Sequence, residues 1–448
     1  MKVRAMRAIV AVGVILSLVG CARPPGTGTP GPQEPTQTPA EPVEGRGPGQ
    51  LVRAEVARET SPDVTDEEVA TRVGGNNAFA FDLYQVVREE KGNAFYSPYS
   101  IALTLAMAYA GARGETEQQM AQTLHYTLPQ ERLHPAYNAL ALRLASRDAE
   151  SEEEPERRFR LIVANSMWGQ SGYSFRQEYL EVLARNYGLG LRLLDFSEAP
   201  EEAREAINTW ISDRTNGQIE NLIPQGIINT MTRLVLTNAI YFRASWKYPF
   251  DDGDTTDGAF RLLSEEEITT LMMEQTEQFD YTGGEGYQAV ELPYVGDEVS
   301  MLIIAPEREE FEPFEDDLDA DRVEEIVEGL ERTNVTLRLP LLEFSSDFQL
   351  SNTLRDMGMP AAFSAEEADF SGIDGTERLF IKDVLHKGFV SVDESGTEAA
   401  AATAVVIEEE SVPPTPIEVT IDSPFIFLIR DVESGTILFV GRVINPVS

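Results

Sequence analysis

Long strand-like segments, unevenly distributed along the chain, constrain the fold more than any other feature of the sequence. Runs rich in β-branched and aromatic residues recur between residues 159 and 443, separated by long connections with helical patterns. Earlier in the chain, Phe79 and Leu83 lie at helical spacing, and Ser97 before Pro98 predicts a helix start. Helices gathered early and strands scattered later, without regular alternation, predict an α+β fold with large mixed or antiparallel sheets.

The chain is long and acidic. Its 448 residues, 42% of them apolar, suffice for one large domain or for two or three average ones. Lys and Arg number 36 against 76 Asp and Glu, which gives a net charge of −40. Because binding a phosphate backbone requires clustered cations, we expect no nucleic-acid partner. The charge serves either solubility or the attraction of a basic partner, and the sequence leaves both open.

The N-terminus has the pattern of an export signal. Three cations within residues 1–7 precede thirteen uncharged residues, 8–20, which are too few to span a bilayer comfortably. The only cysteine of the chain, Cys21, follows directly and has no partner for an intramolecular disulfide. The segment "LVGC" resembles the lipidation box of bacterial lipoproteins. It implies a signal peptide over residues 1–20 and a lipid anchor on Cys21 that holds an extracytoplasmic protein to a bacterial membrane; a chance cysteine is the alternative.

A linker rich in Pro and Gly follows the cysteine. Fourteen of the twenty-nine residues in 22–50 are Pro or Gly, and such a composition behaves as a semi-extended tether. Helical and strand patterns become clear from about residue 65 onward, so we predict a linker over residues 21–67 and a folded domain over residues 68–448. Within that domain, the charged run 146–158 predicts a solvated loop.

Residues that commonly carry catalysis or metal binding are sparse. The three histidines, His125, His134 and His386, form no His-x-x-x-His pair, and the sequence contains no Gly-x-Ser-x-Gly motif, phosphate-binding glycine loop or cysteine pair. A carboxylate-pair hydrolase is the enzymatic alternative, although 76 acidic residues make any single pair uninformative. We expect neither an enzyme nor a metal site nor a cofactor.

One segment near the C-terminus combines incompatible local preferences. Residues 393–414 read "DESGTEAAAATAVVIEEESVPP". The alanines favour helix, residues 403–407 favour strand, and the prolines at 413 and 414 are incompatible with both. This pattern favours a segment that changes structure, with an Ala-rich surface helix as the alternative.

From about residue 68 to the C-terminus, the chain resembles a serpin. The resemblance rests on "NAFYSPYSIALTLAMAYAGARGETEQQM", "WISDRTNGQIENLIP", "RLVLTNAIYFRASWKYPF", "ELPYVGDEVSMLIIAP", "HKGFVSVDESGTEAAAATA" and "IDSPFIFLIRDVESGTILFVGRVINP". It implies three β-sheets, eight or nine helices, an exposed reactive-centre loop and a monomer. Most serpins inhibit serine proteases, some inhibit cysteine proteases and a minority inhibit nothing. In the inhibitors, the protease cleaves the loop and forms an acyl-enzyme, and the freed loop inserts as a new strand into the large sheet.

The resemblance places the conflicted segment in this loop. Its hinge comprises Glu394, Gly396, Thr397, Glu398, Ala399, Ala400, Ala401, Ala402 and Thr403. Gly396 supplies a pivot without a Cβ penalty, and the alternate residues from Thr397 to Ile407 that would face into the sheet carry no charge. Because an unpaired charge between strands is costly, this hinge favours an inhibitor over the alternative, a non-inhibitory serpin that acts as a surface binding or structural protein.

Other positions match structural sites of the family. The shutter, a hydrogen-bonded cluster that rearranges as the sheet opens, is matched by Ser97, Ser100, Asn238 and His386. This match makes His386 structural and not a catalytic base. Trp246 matches the tryptophan of the breach, where the loop first meets the sheet. The family often pairs the hinge glutamate, here Glu394, with a lysine in a Leu-Pro-Lys segment. Leu341 replaces that lysine, so we expect the opening of the sheet to be controlled differently.

The resemblance also implies a cleavage site. Inhibitory serpins are usually cut at the seventeenth position counted from the hinge glutamate, which gives Glu410–Ser411 as the reactive bond. Glutamate precedes the bond even if the count is one residue off, because residues 408–410 are all glutamates. The implied target is a glutamate-preferring serine protease with a basic or hydrogen-bonding primary pocket, not a trypsin-like enzyme, whose pocket is acidic. The alternatives are an elastase-like or subtilisin-like enzyme that cuts after Val406 or Ile407, and a cysteine protease.

Overall fold

The computed structural model of the chain describes residues 48–89, 92–147, 160–376, 379–397 and 415–447. Contacts divide the chain into residues 1–46 and a second unit, residues 47–448, to which the described residues belong. Several predicted features therefore lie outside the described residues: the signal peptide, Cys21, hinge residues 398–403 and the bond Glu410–Ser411.

Ten α-helices lie within the described residues. They are α1 (Asp66–Val87), α2 (Pro98–Tyr109), α3 (Gly114–Thr123), α4 (Gln130–Ser146), α5 (Gln177–Tyr187), α6 (Pro200–Arg214), α7 (Phe311–Asp316), α8 (Ala320–Glu328), α9 (Ser351–Asp356) and α10 (Ser371–Asp374). The count exceeds the expected eight or nine because it includes the short helices α7, α9 and α10, each of six or fewer residues.

Local sequence signals determine where several of these helices begin and end. Ser97 caps α2 as predicted, since its hydroxyl accepts a hydrogen bond from the Ser100 amide at 3.1 Å and Pro98 occupies the first turn. Helix α6 stops just before Asn216 and Gly217, which have φ of 52° and 83°. These left-handed conformations cannot continue a helix, which confirms the predicted stop.

The strands within the described residues number seventeen. They are β1 (Gln50–Val52), β2 (Ala94–Tyr96), β3 (Arg160–Val163), β4 (Ser166–Gln170), β5 (Leu191–Leu194), β6 (Leu234–Ser245), β7 (Thr256–Arg261), β8 (Glu267–Gly284), β9 (Tyr287–Pro293), β10 (Val299–Pro306), β11 (Glu331–Pro340), β12 (Leu342–Gln349), β13 (Val384–Asp393), β14 (Gly396–Thr397), β15 (Ile417–Thr420), β16 (Phe425–Asp431) and β17 (Ile437–Val443).

The first sheet has eight strands. Its order is β1-β5-β4-β6-β14-β13-β12, and β3 also pairs with β6. Strands β6 and β13 pair directly and in parallel at residues 236–240 and 384–388, and β14 lies between them at their other end. The first sheet therefore contains a short strand that is only partly enclosed by its neighbours.

The second sheet has nine strands in the order β15-β11-β8-β9-β10-β16-β17-β2, with β7 paired to β8. Strand β8 is 18 residues long and is shared by two groups of strands. Residues 267–272 of β8 pair with β7, and residues 280–284 pair with β9. Strand β11 pairs with residues 272–281, so it overlaps the end of one group and the start of the other. The family resemblance implied three sheets. Because β8 hydrogen-bonds to both groups of strands, two of those three form one continuous sheet here.

The folded unit begins earlier than the predicted boundary at residue 68. Strand β1 pairs with β5 at the edge of the first sheet, and Ala54 is buried. The Glu59 amide donates to the Arg185 carbonyl at 2.8 Å, and Asn138 Nδ2 donates to the Glu59 carbonyl at 2.6 Å. A three-residue edge strand has too few side chains for a periodic pattern, so the sequence shows only a continuation of the linker.

Apolar clusters on both faces hold the first sheet in place. One cluster packs α6 against the sheet and includes Ala239 of β6 and Leu385 of β13. Another lies between the two sheets and includes Phe242 of β6 and Val390 of β13. No helix of the described ranges has the length and apolarity that crossing a bilayer requires.

Candidate functional site: the hinge and shutter of the first sheet

We call the boundary between β6 and β13 the seam. Its lower end is the stretch where residues 236–240 of β6 pair directly with residues 384–388 of β13, and its upper end is the stretch where β14 lies between the two strands. Its upper end contains β14, in which Gly396 lies opposite Ser245 and Thr397 lies opposite Ala244 of β6. On the other side, Thr397 pairs with Val392 of β13. Gly396 and Thr397 of the predicted hinge therefore already belong to the sheet.

Thr397 is anchored between the two sheets. It is 1% exposed, and its hydroxyl shares a 2.7 Å hydrogen bond with the Tyr294 hydroxyl. Tyr294 stacks on Trp246 with ring centres 4.6 Å apart. Burial raises the pKa of Tyr294, so the phenol stays neutral. The position accepts a small side chain with a hydroxyl and leaves no room for a solvated charge.

Gly396 can occupy its position because it has no side chain. Its φ is 153°, in the region that L-residues rarely adopt, and a Cβ would collide with the Ala244 carbonyl oxygen. The close approach of β14 to β6 thus requires glycine here. The role of Gly396 as a pivot stays a prediction.

Trp246 holds the turn that leads from β13 into β14. Its indole Nε1 donates to the Asp393 carbonyl at 3.0 Å, and its backbone amide donates to the Ser395 carbonyl at 3.0 Å. The Asp393 side chain accepts hydrogen bonds from the Ser395 and Gly396 amides at 2.8 and 3.1 Å. The residue predicted for the breach therefore lies where the hinge meets the sheet.

Glu394 has a partner that the sequence did not suggest. Its carboxylate accepts a 2.6 Å hydrogen bond from the Thr255 hydroxyl, which lies just before β7. Leu341, which replaces the lysine of the family pattern, packs beside the cluster between the two sheets. Thr255, a neutral donor, contacts Glu394 where the family pattern has a lysine, and a neutral hydrogen bond contributes less electrostatic energy than a charged one.

The four predicted shutter residues come together in the buried lower part of the seam. His386 Nδ1 donates to Asn238 Oδ1 at 2.5 Å, and His386 Nε2 accepts from the Ser97 amide at 3.2 Å. Asn238 Nδ2 donates to the Ser100 hydroxyl at 2.7 Å. Asn238 and His386 are register partners on β6 and β13, so this cluster joins the two strands that insertion would separate.

Two further shutter residues carry no local sequence signal. Asn165 Oδ1 accepts from both Ser100 and Asn238, at 2.9 and 3.0 Å, and Thr104 accepts from Asn238 at 3.0 Å. Asn165 lies between β3 and β4, and its contacts span 65 and 73 residues of chain. Only the tertiary fold brings these side chains together.

The histidines occupy structural positions. Burial lowers the pKa of His386 to about 3, so its ring is neutral near pH 7 and fits the two hydrogen bonds above. Burial and the nearby Arg113 lower the pKa of His134 to about 3 as well, and its ring nitrogen contacts the Tyr187 hydroxyl at 2.7 Å. His125 contacts Asp82 at 2.6 Å. In the part of the chain that the structure describes, no group of three or more His, Cys, Asp and Glu side chains could hold a metal ion.

Comparisons with known proteins agree with this architecture. The family model "Serpin (serine protease inhibitor)" matches residues 74–446. An uncharacterized serpin-like protein of Thermococcus kodakarensis is 41% identical over 377 residues, which cover 84% of this chain and 85% of that protein. Leukocyte elastase inhibitor A of Mus musculus is 37% identical over 392 residues, which cover 83% and 98%. The native crystal structure of tengpin, a thermophilic serpin, matches with a TM-score of 0.76 at 25% identity and covers 88% of this chain and 97% of that one.

The chain therefore belongs to the serpin family, and the α+β serpin fold expected from the sequence is confirmed. The family is one of serine protease inhibitors, which form complexes with their target proteases, and not of catalytic enzymes.

Proposed function

We propose that the protein is a suicide-substrate inhibitor of an extracellular serine protease. The observation that carries this proposal is the position of β14, which already starts an inserted strand at the upper end of the seam. Continuing its register places Thr403 opposite both Asn238 and His386, and places residues 401–405 where β6 and β13 now pair directly. The small, uncharged hinge residues can replace that pairing without burying a charge.

The proposed reaction uses the catalytic groups of the protease. Its serine oxygen attacks the carbonyl carbon before the reactive bond, and the bond to the next nitrogen breaks. The serine proton passes through the protease's own base to the departing amine, which becomes the new N-terminus of the C-terminal fragment. The acyl ester stays on the released loop. Extension of β14 along the seam then draws the attached protease away from the upper end before water can hydrolyse the ester.

Detergent-resistant complex formation tests this function. Purified protein is incubated with a glutamate-preferring endopeptidase of the chymotrypsin type, an elastase, trypsin and a papain-like cysteine protease. We expect a covalent complex that survives boiling in detergent with the first enzyme and none with trypsin. Cleavage of the loop by every enzyme without any complex would instead support a non-inhibitory serpin that acts as a surface binding or structural protein.

The glutamate preference is a separate part of the proposal. It is supported by residues 408–410, all glutamates, which precede the implied bond Glu410–Ser411. A pocket that accepts this carboxylate needs donors to offset its desolvation. Mass spectrometry of the C-terminal fragment from the trapped complex is the test. A fragment that begins at Ser411 supports the assignment, and one that begins at Ile407 or Glu408 contradicts it.

We also propose that the protein acts outside the cytoplasm as a lipid-anchored monomer on a bacterial membrane. The export-signal pattern and Cys21 after "LVG" support this location. The Cys21→Ala variant should leave the membrane fraction, or remain there only with an uncleaved signal. A variant that matures and partitions like the wild type would contradict lipidation at Cys21.

A further inference from the structure

A cavity of about 320 Å³ opens between α2, α4 and the C-terminal end of α5. Its volume lies at the lower end of the range for sites that bind small molecules. Tyr99, Leu103 and Met107 line one wall, and their regular spacing places them on a single face of α2. Leu103 is the one residue of α2 that is not buried. This otherwise enclosed helix therefore meets accessible space at the cavity.

The walls of the cavity are mainly apolar. Leu144 of α4, Leu161 of β3 and Leu189, which follows α5, contribute side chains to them. Leu161 and Leu189 are half-buried, and Ala145 at the same cavity is exposed. The cavity therefore reaches the surface, and a small molecule has a path into it. Burial of an aliphatic chain against these walls is favourable in proportion to the apolar area removed from water.

Charge contributes little to this cavity. Among the described residues that line it, Arg58 is the only one with a formal charge, and its Nε donates to Asn138 Oδ1 at 2.8 Å. Asn165 also lines the cavity, but its side-chain amide is bonded within the shutter, to Ser100 and Asn238. Because Arg58 has partners of its own, a carboxylate that entered would lose its hydration and gain no unpaired cation in exchange.

Two buried polar groups at the cavity lack a hydrogen-bond partner among the described residues. Tyr99 is 2% exposed, and no hydrogen bond engages its hydroxyl. Burial raises the pKa of Tyr99, so the hydroxyl keeps its proton and can donate. Asn186 is 6% exposed, and because its Nδ2 donates to the Val182 carbonyl at 3.0 Å, its Oδ1 is left as an acceptor. Buried groups of these kinds normally have partners, so both side chains indicate a ligand.

We propose that the cavity is a binding site for an uncharged, mainly apolar molecule that carries one hydroxyl group, such as an alcohol of about eight carbons. Its aliphatic part lies against the leucines of α2, α4 and β3, where it is removed from water. A hydroxyl group is both a donor and an acceptor, so it can accept from Tyr99 and donate to Asn186. The site is separate from the reactive-centre loop, and binding there does not depend on the inhibitory function proposed above.

Isothermal titration calorimetry of the purified protein with 1-octanol tests the site. Octanoate, which has the same chain length and a charged head group, is the matched ligand. We expect saturable binding of one octanol per chain, and binding of octanoate at least about tenfold weaker, because its charge is not compensated in the cavity. The absence of saturable octanol binding, as for a cavity that holds only water, or an equal or tighter affinity for octanoate would overturn the proposal.

Variants locate the binding in this cavity. Tyr99→Phe removes only the hydroxyl and should weaken octanol binding by about fivefold or more, with little change of the melting midpoint, because no protein hydrogen bond is lost. Ala141→Leu adds bulk to the wall on α4 and should abolish binding. Tyr109→Phe is the matched control, since Tyr109 lies on the same helix and outside the cavity; it should bind octanol like the wild type. Wild-type affinity in either Tyr99→Phe or Ala141→Leu would refute the assignment to this site.

Discussion

The upper and lower ends of the seam differ in what fills them. At the upper end, Gly396 and Thr397 separate β6 from β13 and hydrogen-bond to both. At the lower end, the two strands pair directly, and a side-chain hydrogen bond between Asn238 and His386 also links them. Between the ends, residues 241–243 of β6 and 389–391 of β13 are not register partners. Strands β6 and β13 are therefore already separated by β14 at the upper end and still paired with each other at the lower end.

This difference suggests where the barrier to insertion lies. Strand extension needs no new opening at the top, since β14 already occupies it. Further extension has to break the five register pairs and the shutter hydrogen bonds at the lower end, and each of these hydrogen bonds contributes about 1 kcal/mol to stability. The gain comes from a ladder on both sides of the new strand. We therefore expect the direct pairing at the lower end to keep the intact form from reaching its most stable arrangement.

The largest expected effect follows cleavage of the loop. Extending β14 by roughly ten residues, each hydrogen bond worth about 1 kcal/mol, should raise the melting midpoint by more than about 10 °C without any ligand. Differential scanning calorimetry of intact and loop-cleaved protein gives the comparison. Equal midpoints would mean that the intact sheet is already in its most stable form.

The next effect is at the upper end. Thr397→Arg would place a cation where the native side chain is 1% exposed and bonded to Tyr294, at a cost of several kcal/mol. Insertion should then lose to hydrolysis of the acyl-enzyme, and the stoichiometry of inhibition should rise by about tenfold or more. Thr397→Ser keeps the hydroxyl and is the matched control. An unchanged stoichiometry in Thr397→Arg would refute the role given to the hinge.

A smaller effect is expected at the lower end. Asn238→Ala leaves several buried shutter groups unpaired and should lower the stability of the intact form by about 3 kcal/mol. Thr104→Val removes one partner of Asn238 and should cost about 1 kcal/mol. The loop-cleaved form should lose less, because insertion separates Asn238 from His386. Equal losses in both forms, measured by urea unfolding, would argue against a lock at the lower end.

Protonation of His386 gives a smaller predicted effect than Asn238→Ala. Burial lowers its pKa from 6.5 to about 3, so the folded state binds this proton less readily than the unfolded chain. Its stability contribution is therefore complete above pH 6.5 and is lost as the pH falls toward 3. At pH 5 this single group should cost about 2 kcal/mol relative to pH 7. His386→Gln should unfold with a shallower pH dependence, and His125→Gln, at a side chain 35% exposed, is the control. Identical pH slopes in the wild type and His386→Gln would exclude the effect.

Local signals made part of this structure predictable. The cap at Ser97, the stop at Asn216–Gly217 and the α+β class each depend on neighbouring residues or on periodicity, and the structure agrees with them. The shutter residues came from a family resemblance, since Ser97 and His386 are 289 residues apart in the chain. Their common position could not be inferred from spacing.

The features that the sequence did not reveal depend on contacts between distant segments. Strand β1 has only three residues, and its position is fixed by the free edge of β5. The Thr255 contact with Glu394 spans 139 residues. The early insertion of Thr397 depends on space beside Tyr294, which exists only once both sheets are in place. Packing, not local preference, decides each of these.

The most direct test of the central claim is a crystal structure of the loop-cleaved protein. We expect one continuous strand from Gly396 through residue 407, with Thr403 between Asn238 and His386 and no direct pairing of β6 with β13 at those positions. A cleaved structure in which Asn238 and His386 remain register partners, with β14 no longer than in the intact form, would contradict it.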